Sequence, residues 1–280
     1  MTSSLKSAIV DVMGEDGVSF VEDGQPPKVG FREMVETLVT PRNVVGNFLY
    51  LFRLLGINGG NGDERKPAEQ VGGTETVIVP GYASRNMSLL PLEERLRERG
   101  IESRTLRAYE DLRLRQPLPT LEAADHVQEI IEQSRAEIVN FVCHSMGGLT
   151  VLIACSRLSG ETREKVGRIV TLGTPWQGAP LARTLSFVKR GDMALKDLSP
   201  GSDILKTEIP KITQEVRGKT VAVISVADKL VPLQSGILEG ALLNLVLRRD
   251  RSVIHADFLH DKRVAEMVAA ILNDYSTAVN

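Results

Sequence analysis

Three side chains in this sequence have the types and the order that covalent acyl chemistry needs: Ser145, then Asp228, then His255. A serine hydroxyl is a weak nucleophile near neutral pH. It needs an imidazole to take its proton, and the imidazole needs a carboxylate to orient it. Ser145 lies in NFVCHSMGGLT, residues 140–150, between an apolar run that reads as a strand and another that reads as a helix. A nucleophile at such a junction sits on a tight, strained turn, so the residues two positions either side must be small, as in G-x-S-x-G. Here the pattern is C-H-S-M-G, with Cys143 where the first glycine would stand and Gly147 as the second. The plainer alternative is a serine in a glycine-rich helix start, and the strand-then-helix context argues against it.

The acid and the base follow Ser145 in the chain. The strand candidate TVAVISV runs directly into ADKLVP, which puts Asp228 just past a strand's carboxyl end. Its alternative reading is an ordinary acidic turn residue. Asp192, Asp197 and Asp203 have no such strand before them. Of the four histidines, His126 falls in a helical pattern before the nucleophile strand and His144 is inside the motif itself. Only His255 and His260 follow Asp228. His255 sits in the loop RRDRSVIHADF after the strand candidate LLNLVL, whereas His260, near the start of the last helix, suits a capping or surface role. His255 is therefore preferred as the base.

The oxyanion of acyl transfer needs two preorganised N–H donors. One comes from the residue after the nucleophile, Met146, and the other from the loop after an early strand. That loop is VPGYASRN, where Gly81 permits the turn and Tyr82 offers its N–H. Gly81 also fits a turn that merely ends a strand.

These residues need a scaffold, and the periodicity supplies one. From Glu75 onward, strand candidates TVIVPGY, IESRTLRAY, EIVNFVC, RIVTLGT, TVAVISV and LLNLVL alternate with helical patterns. The helices are read from SLLPLEERLRERG, from Thr120 onward, from Met146 to about Leu158, and in a closing segment carrying Val264, Met267, Val268 and Ile271. Nearly continuous apolar strands interleaved with helices imply an α/β fold, a mostly parallel central sheet with helices on both faces. Ligands of such sheets bind beyond the carboxyl ends of the strands.

Composition narrows the function classes. The chain has 280 residues, 42% hydrophobic and 25% charged, enough for one large core. A net charge of −2 argues against electrostatic capture of nucleic acid. Cys143 and Cys155 lie in apolar runs and read as small packed hydrophobes. The N-terminus lacks a cleavage pattern, so the expected location is cytoplasmic. The chain divides at residue 72 into an N-terminal helical extension with a linker, 1–72, and a catalytic domain, 73–280. The linker is the polar, glycine-rich stretch of residues 58–73. Residues 30–57 carry an apolar patch too short to span a bilayer. It reads as a helix packed on the domain, or as one that covers the acyl site or makes a peripheral membrane contact. Residues 177–218 are longer than an ordinary connection and read as a small lid or an ungated insertion.

Taken together, CHSMGG, VPGYAS, LGTPWQGAP, SVADKLVP and HADFLHDKRVAEMV resemble the corresponding segments of the lipase and esterase branch of the α/β-hydrolase family, small bacterial triacylglycerol lipases in particular. The resemblance runs from about Thr76 to Leu272. Pro80 and Trp176 stand where that family usually has histidine, and Ala179 where it has serine. The resemblance implies an α/β-hydrolase fold and a serine hydrolase of acyl esters or lipids, with Ser145, Asp228 and His255 catalytic and with no metal or cofactor. It also independently selects His255. An acyltransferase or thioesterase would use the same triad, and a non-catalytic binding module on the same scaffold is the remaining class.

Overall fold

The computed structural model describes residues 2–21, 73–82, 86–106, 110–111, 116–248 and 253–279. Its strands are β1 (Val18–Phe20), β2 (Thr74–Val79), β3 (Ser103–Thr105), β4 (Glu110–Asp111), β5 (Gln116–Pro117), β6 (Ile138–His144), β7 (Val166–Leu172), β8 (Thr220–Ser225) and β9 (Leu243–Leu247). Seven of them form one sheet in the order β1-β9-β8-β7-β6-β2-β3, and β4 and β5 make a separate two-stranded pair. All neighbours in the large sheet are parallel except β1, which runs antiparallel to β9 at the edge. This is the mostly parallel sheet that the alternation of strands and helices implied.

The central strands β6, β7 and β8 are buried along nearly their whole length because both faces are covered. In β6, Phe141 and Cys143 face one buried cluster while Val142 faces the other. The first cluster is closed by α3 (Thr120–Gln133) and α4 (Met146–Arg157), the second by α1 (Thr2–Met13), α2 (Asn86–Arg97) and α11 (Lys262–Val279). In α11 the buried set includes Val264, Met267, Val268 and Ile271, the apolar stripe expected for the closing helix. Phe141 is wholly buried, and its truncation to alanine would cost about 3–5 kcal/mol.

Two expected elements are placed differently from their sequence reading. The strand expected over residues 101–109 pairs only over Ser103–Thr105 and continues through Leu106 N–H, which donates to Ile78 O at 2.8 Å. Residues 107–109 lie outside the described residues. The extension expected over residues 1–72 contributes to the sheet itself. Val18 pairs with Leu247 across the β1–β9 edge, and Leu5, Ile9 and Met13, one helical turn apart, are buried in the second cluster. Residues 22–72, which hold the apolar patch and the glycine-rich stretch apart from Gly73, lie outside the described residues.

The 177–218 segment folds as short helices: α6 (Pro180–Val188), α7 (Met193–Asp197), α8 (Asp203–Thr207) and α9 (Gln214–Gly218), with a single 3₁₀ turn at Ile209–Lys211. Its first part, Ala179 to Leu198, lines a cavity with Tyr82 and Ser145, whereas its later part packs along α4, Thr213 N–H donating to Ser156 Oγ, and α9 leads into the amino end of β8.

Candidate active site

Ser145 follows the last residue of β6 and precedes the first residue of α4, with φ 52° and ψ −120°. It is the one non-glycine residue with positive φ among the described residues. A side chain held there costs about 1–3 kcal/mol, so the surrounding structure must impose it. Two contacts show how. Ser145 N–H donates to Leu172 O at 2.9 Å, and Thr174 Oγ1 donates to Ser145 O at 2.9 Å, so β7 and the loop after it grip the turn on both sides. The Ser145 side chain makes no capping bond to α4.

The glycines of the motif are required by close backbone approach. A Cβ on Gly147 would lie 2.6 Å from Val79 O and 2.7 Å from Pro80 O, and one on Gly148 would overlap the Thr174 side chain. Position 143 has no such constraint: Cys143 turns its side chain into the apolar cluster beneath the sheet, which is why a residue larger than glycine fits. Both cysteines are free and buried. Burial pushes the Cys143 thiol well up and raises that of Cys155 to about 12, so neither competes as a nucleophile.

The candidate acid and base form a pair. His255 Nδ1 donates to Asp228 Oδ2 at 2.6 Å in a site closed to solvent on both sides. Asp228 Oδ1 in turn accepts the N–H groups of Leu230 at 2.9 Å and Val231 at 3.0 Å, which fixes the carboxylate plane. With Nδ1 protonated toward Asp228, Nε2 of His255 is left as the basic nitrogen. Gly173, at φ 61°, makes room for this pair, since a Cβ there would lie 3.1 Å from Asp228 Oδ2 and 3.2 Å from His255 Nδ1.

His255 and Ser145 line one cavity of about 390 Å³, counted to its opening into solvent. The other lining residues are Tyr82, Pro175, Ala179, Leu181, Ala182, Leu185, Leu195, Leu198, Leu230 and Val231. Apart from Ser145, His255 and Tyr82 every side chain is apolar. Ala179 through Leu198 belong to the 177–218 segment, so that segment walls the cavity whether or not it moves. The oxyanion candidates sit beside the nucleophile. Gly81 packs so close that a Cβ would lie 2.8 Å from Ser145 Cβ, and Tyr82 follows it. Met146 opens α4, where first-turn N–H groups have no intrahelical partner.

His144, which the sequence reading treated only as the variable position of the motif, has a structural job. Its Nε2 donates to the main-chain carbonyl of His255 at 2.9 Å, and the two rings stand 4.7 Å apart between centroids. Burial, and then repulsion from His255, hold its pKa well below the ordinary imidazole range, so it stays neutral. Thr174 and Gly173 were likewise not singled out, and Asp192 was weighed only as an acid and passed over. Thr174 and Gly173 could have been found through LGTPWQGAP, whose threonine follows a strand end. The other histidines are not part of this pair: His126 is exposed beside Glu129, and His260 is exposed, its carbonyl accepting a bond from Arg95, and adds only a minor repulsion on His144.

The model of the lecithin:cholesterol acyltransferase family matches residues 122–214, a stretch that holds Ser145 but neither Asp228 nor His255. No curated protein matches the sequence. Among solved structures, the product of gene lin2722 from Listeria innocua is 11% identical at a TM-score of 0.50, covering 72% of this chain and 95% of that one. Lipase B of Aspergillus fumigatus is 16% identical at a TM-score of 0.49, covering 71% of this chain and 52% of that one. MGS-MChE2, an alpha/beta hydrolase enzyme from the sediment metagenome of the Mar Chica lagoon in Morocco, is 17% identical at a TM-score of 0.49, covering 75% of this chain and 93% of that one. The sheet order and the strand–serine–helix turn agree with the fold likeness to the Listeria structure.

The chain has an α/β-hydrolase fold. Ser145 stands at the β6–α4 junction and Asp228 in the loop after β8, the places that fold gives a candidate nucleophile and its acid. Within this fold, residues 179–198 wall the cavity at the strand ends. No helix among the described residues is long and apolar enough to cross a membrane.

Proposed function

We propose that this chain cleaves carboxylic esters with apolar acyl groups through an acyl-enzyme on Ser145. The observation that carries the reading is the strained Ser145 turn opening, together with His255, onto a cavity whose remaining walls are almost wholly apolar.

In the forward step Ser145 Oγ attacks the ester carbonyl while His255 Nε2 takes the hydroxyl proton. Asp228, bound to Nδ1, stabilises the imidazolium so formed. The carbonyl oxygen becomes an oxyanion between the N–H groups of Met146 and Tyr82, an interaction of roughly 3–4 kcal/mol per donor in comparable sites. His255 returns its proton to the departing alkoxide, and the acyl group remains on Oγ. A water then repeats the sequence, releasing the acid and restoring Ser145. The acyl chain lies among Leu185, Leu195 and Leu198.

The test is turnover of p-nitrophenyl esters with labelling of Ser145 by a fluorophosphonate. Ser145→Ala abolishes both and leaves folding intact. Substantial turnover by folded Ser145→Ala overturns the reading.

The match of residues 122–214 to an acyltransferase model favours a second outcome at the same site, in which an alcohol takes the acyl group from Ser145. Product analysis with ester and thioester substrates, with and without added alcohols, separates transfer from hydrolysis because both pass through one acyl-enzyme.

A further inference from the structure

Asp192 is a carboxylate buried to 2% exposure in the roof of the cavity, where desolvation costs several kcal/mol unless it is well paired. Both of its oxygens are used. Oδ2 accepts the phenolic hydroxyl of Tyr82 at 2.6 Å, and Oδ1 accepts the N–H of Leu195 at 3.0 Å, capping α7. Tyr82 and Leu195 both line the cavity with Ser145. The far end of α7 is tied as well, since Asp197 Oδ2 accepts Thr120 N–H at 2.8 Å. A cap alone needs no such charge, because serine or asparagine caps a helix equally well.

We infer that Asp192 is a positioning residue that couples the acyl-pocket wall to the oxyanion donor, so that an acyl chain seated against Leu195 and Leu198 sets the placement of the Tyr82 N–H. The inference rests on the ester-hydrolase reading and deepens it. The Tyr82 ring is held by Asp192 and its backbone is held by Gly81 against Ser145, so the N–H between them is aimed from both ends. Without the Asp192 bond, α7 can shift without carrying Tyr82 with it. A long acyl chain, which touches α7, loses alignment that a short one never gained.

The test uses the full chain with p-nitrophenyl acetate and octanoate, and in parallel the rates of Ser145 phosphonylation by fluorophosphonates with ethyl and octyl chains. Asp192→Ala lowers kcat on octanoate about 10-fold and on acetate by no more than about 3-fold, with KM moving less than kcat. Tyr82→Phe shows the same chain-length bias, and the double variant is no worse than the poorer single one, because both remove one interaction. Asp192→Asn, whose oxygen can accept from Leu195 and whose amide can donate to the Tyr82 oxygen, recovers most of the octanoate rate. Equal losses on both chain lengths, or additive losses in the double variant, overturn the inference. Wild-type protein that is phosphonylated but turns over no ester overturns the hydrolase reading alone, and the phosphonylation rates then decide the coupling. Wild-type protein that is not labelled overturns both. If Asp192→Ala does not fold, Tyr82→Phe and Asp192→Asn carry the comparison.

Discussion

His144 Nε2 donates a hydrogen bond to the main-chain carbonyl of His255 at 2.9 Å, so the residue before the proposed nucleophile holds the loop that carries the proposed base. Removing the donor leaves that carbonyl buried. His144→Leu should therefore cost about 1–3 kcal/mol of stability. It should also lower kcat more than it changes KM, since His255 moves while the acyl pocket does not. His144→Gln, whose Nε2 can occupy the same place, should recover most of both. Thermal unfolding and steady-state kinetics on the two variants check this.

The same histidine predicts a pH dependence. Its native pKa is held well below the ordinary value of 6.5 that it regains on unfolding, so below that pH the unfolded chain binds more protons. The stability it contributes is complete above about pH 7 and is lost as pH falls below about 6.5 toward the depressed native value. Between pH 7.5 and 5.5 the melting temperature should fall, and His144→Gln should flatten that fall. Glu208 and Asp261, whose pKa values are lowered from the ordinary carboxylate range, act only further into acid. An unchanged slope in the variant would refute the assignment.

Strain at Ser145 can be measured directly. Ser145→Gly and Ser145→Ala should both lose roughly 10⁴-fold or more in kcat. Only glycine relieves the positive φ, so Ser145→Gly should be more stable than Ser145→Ala by about 1–3 kcal/mol in urea unfolding.

Positions 143 and 147 should respond in opposite ways to their motif status. Gly147→Ala places a Cβ against Val79 O and Pro80 O, which should cost about 1–3 kcal/mol and displace the oxyanion loop. Cys143→Gly conforms to the motif yet empties a buried site in a central strand, and should cost about 1–2 kcal/mol. A stabilised Cys143→Gly would show strain at that position that the packing does not suggest.

The apolar wall should set chain-length preference. Ala182→Phe fills part of the cavity beside Leu185. It should lower the ratio of kcat/KM on octanoate to that on acetate by about 10-fold or more, the effect of losing one to two buried methylenes.

The sequence by itself determined the sheet and the order of the chemistry. Alternating apolar runs and helical stripes leave few foldings, and Ser145, Asp228 and His255 are legible because each abuts a strand end or the loop after one. It preferred His255 to His260 as base from loop placement, without the geometry that pairs His255 with Asp228. It also carried no local mark of the roles of His144 or Asp192, because these depend on residues far away in the chain. His144 and His255 are separated by 111 positions, and Asp192 and Tyr82 by 110. Only the parallel sheet, which brings the carboxyl ends of β2, β6, β7 and β8 to one edge, makes neighbours of them. The cavity walls were decided the same way: α6 and α7 read as a lid or an insertion in sequence, and only packing shows which of their leucines face the nucleophile.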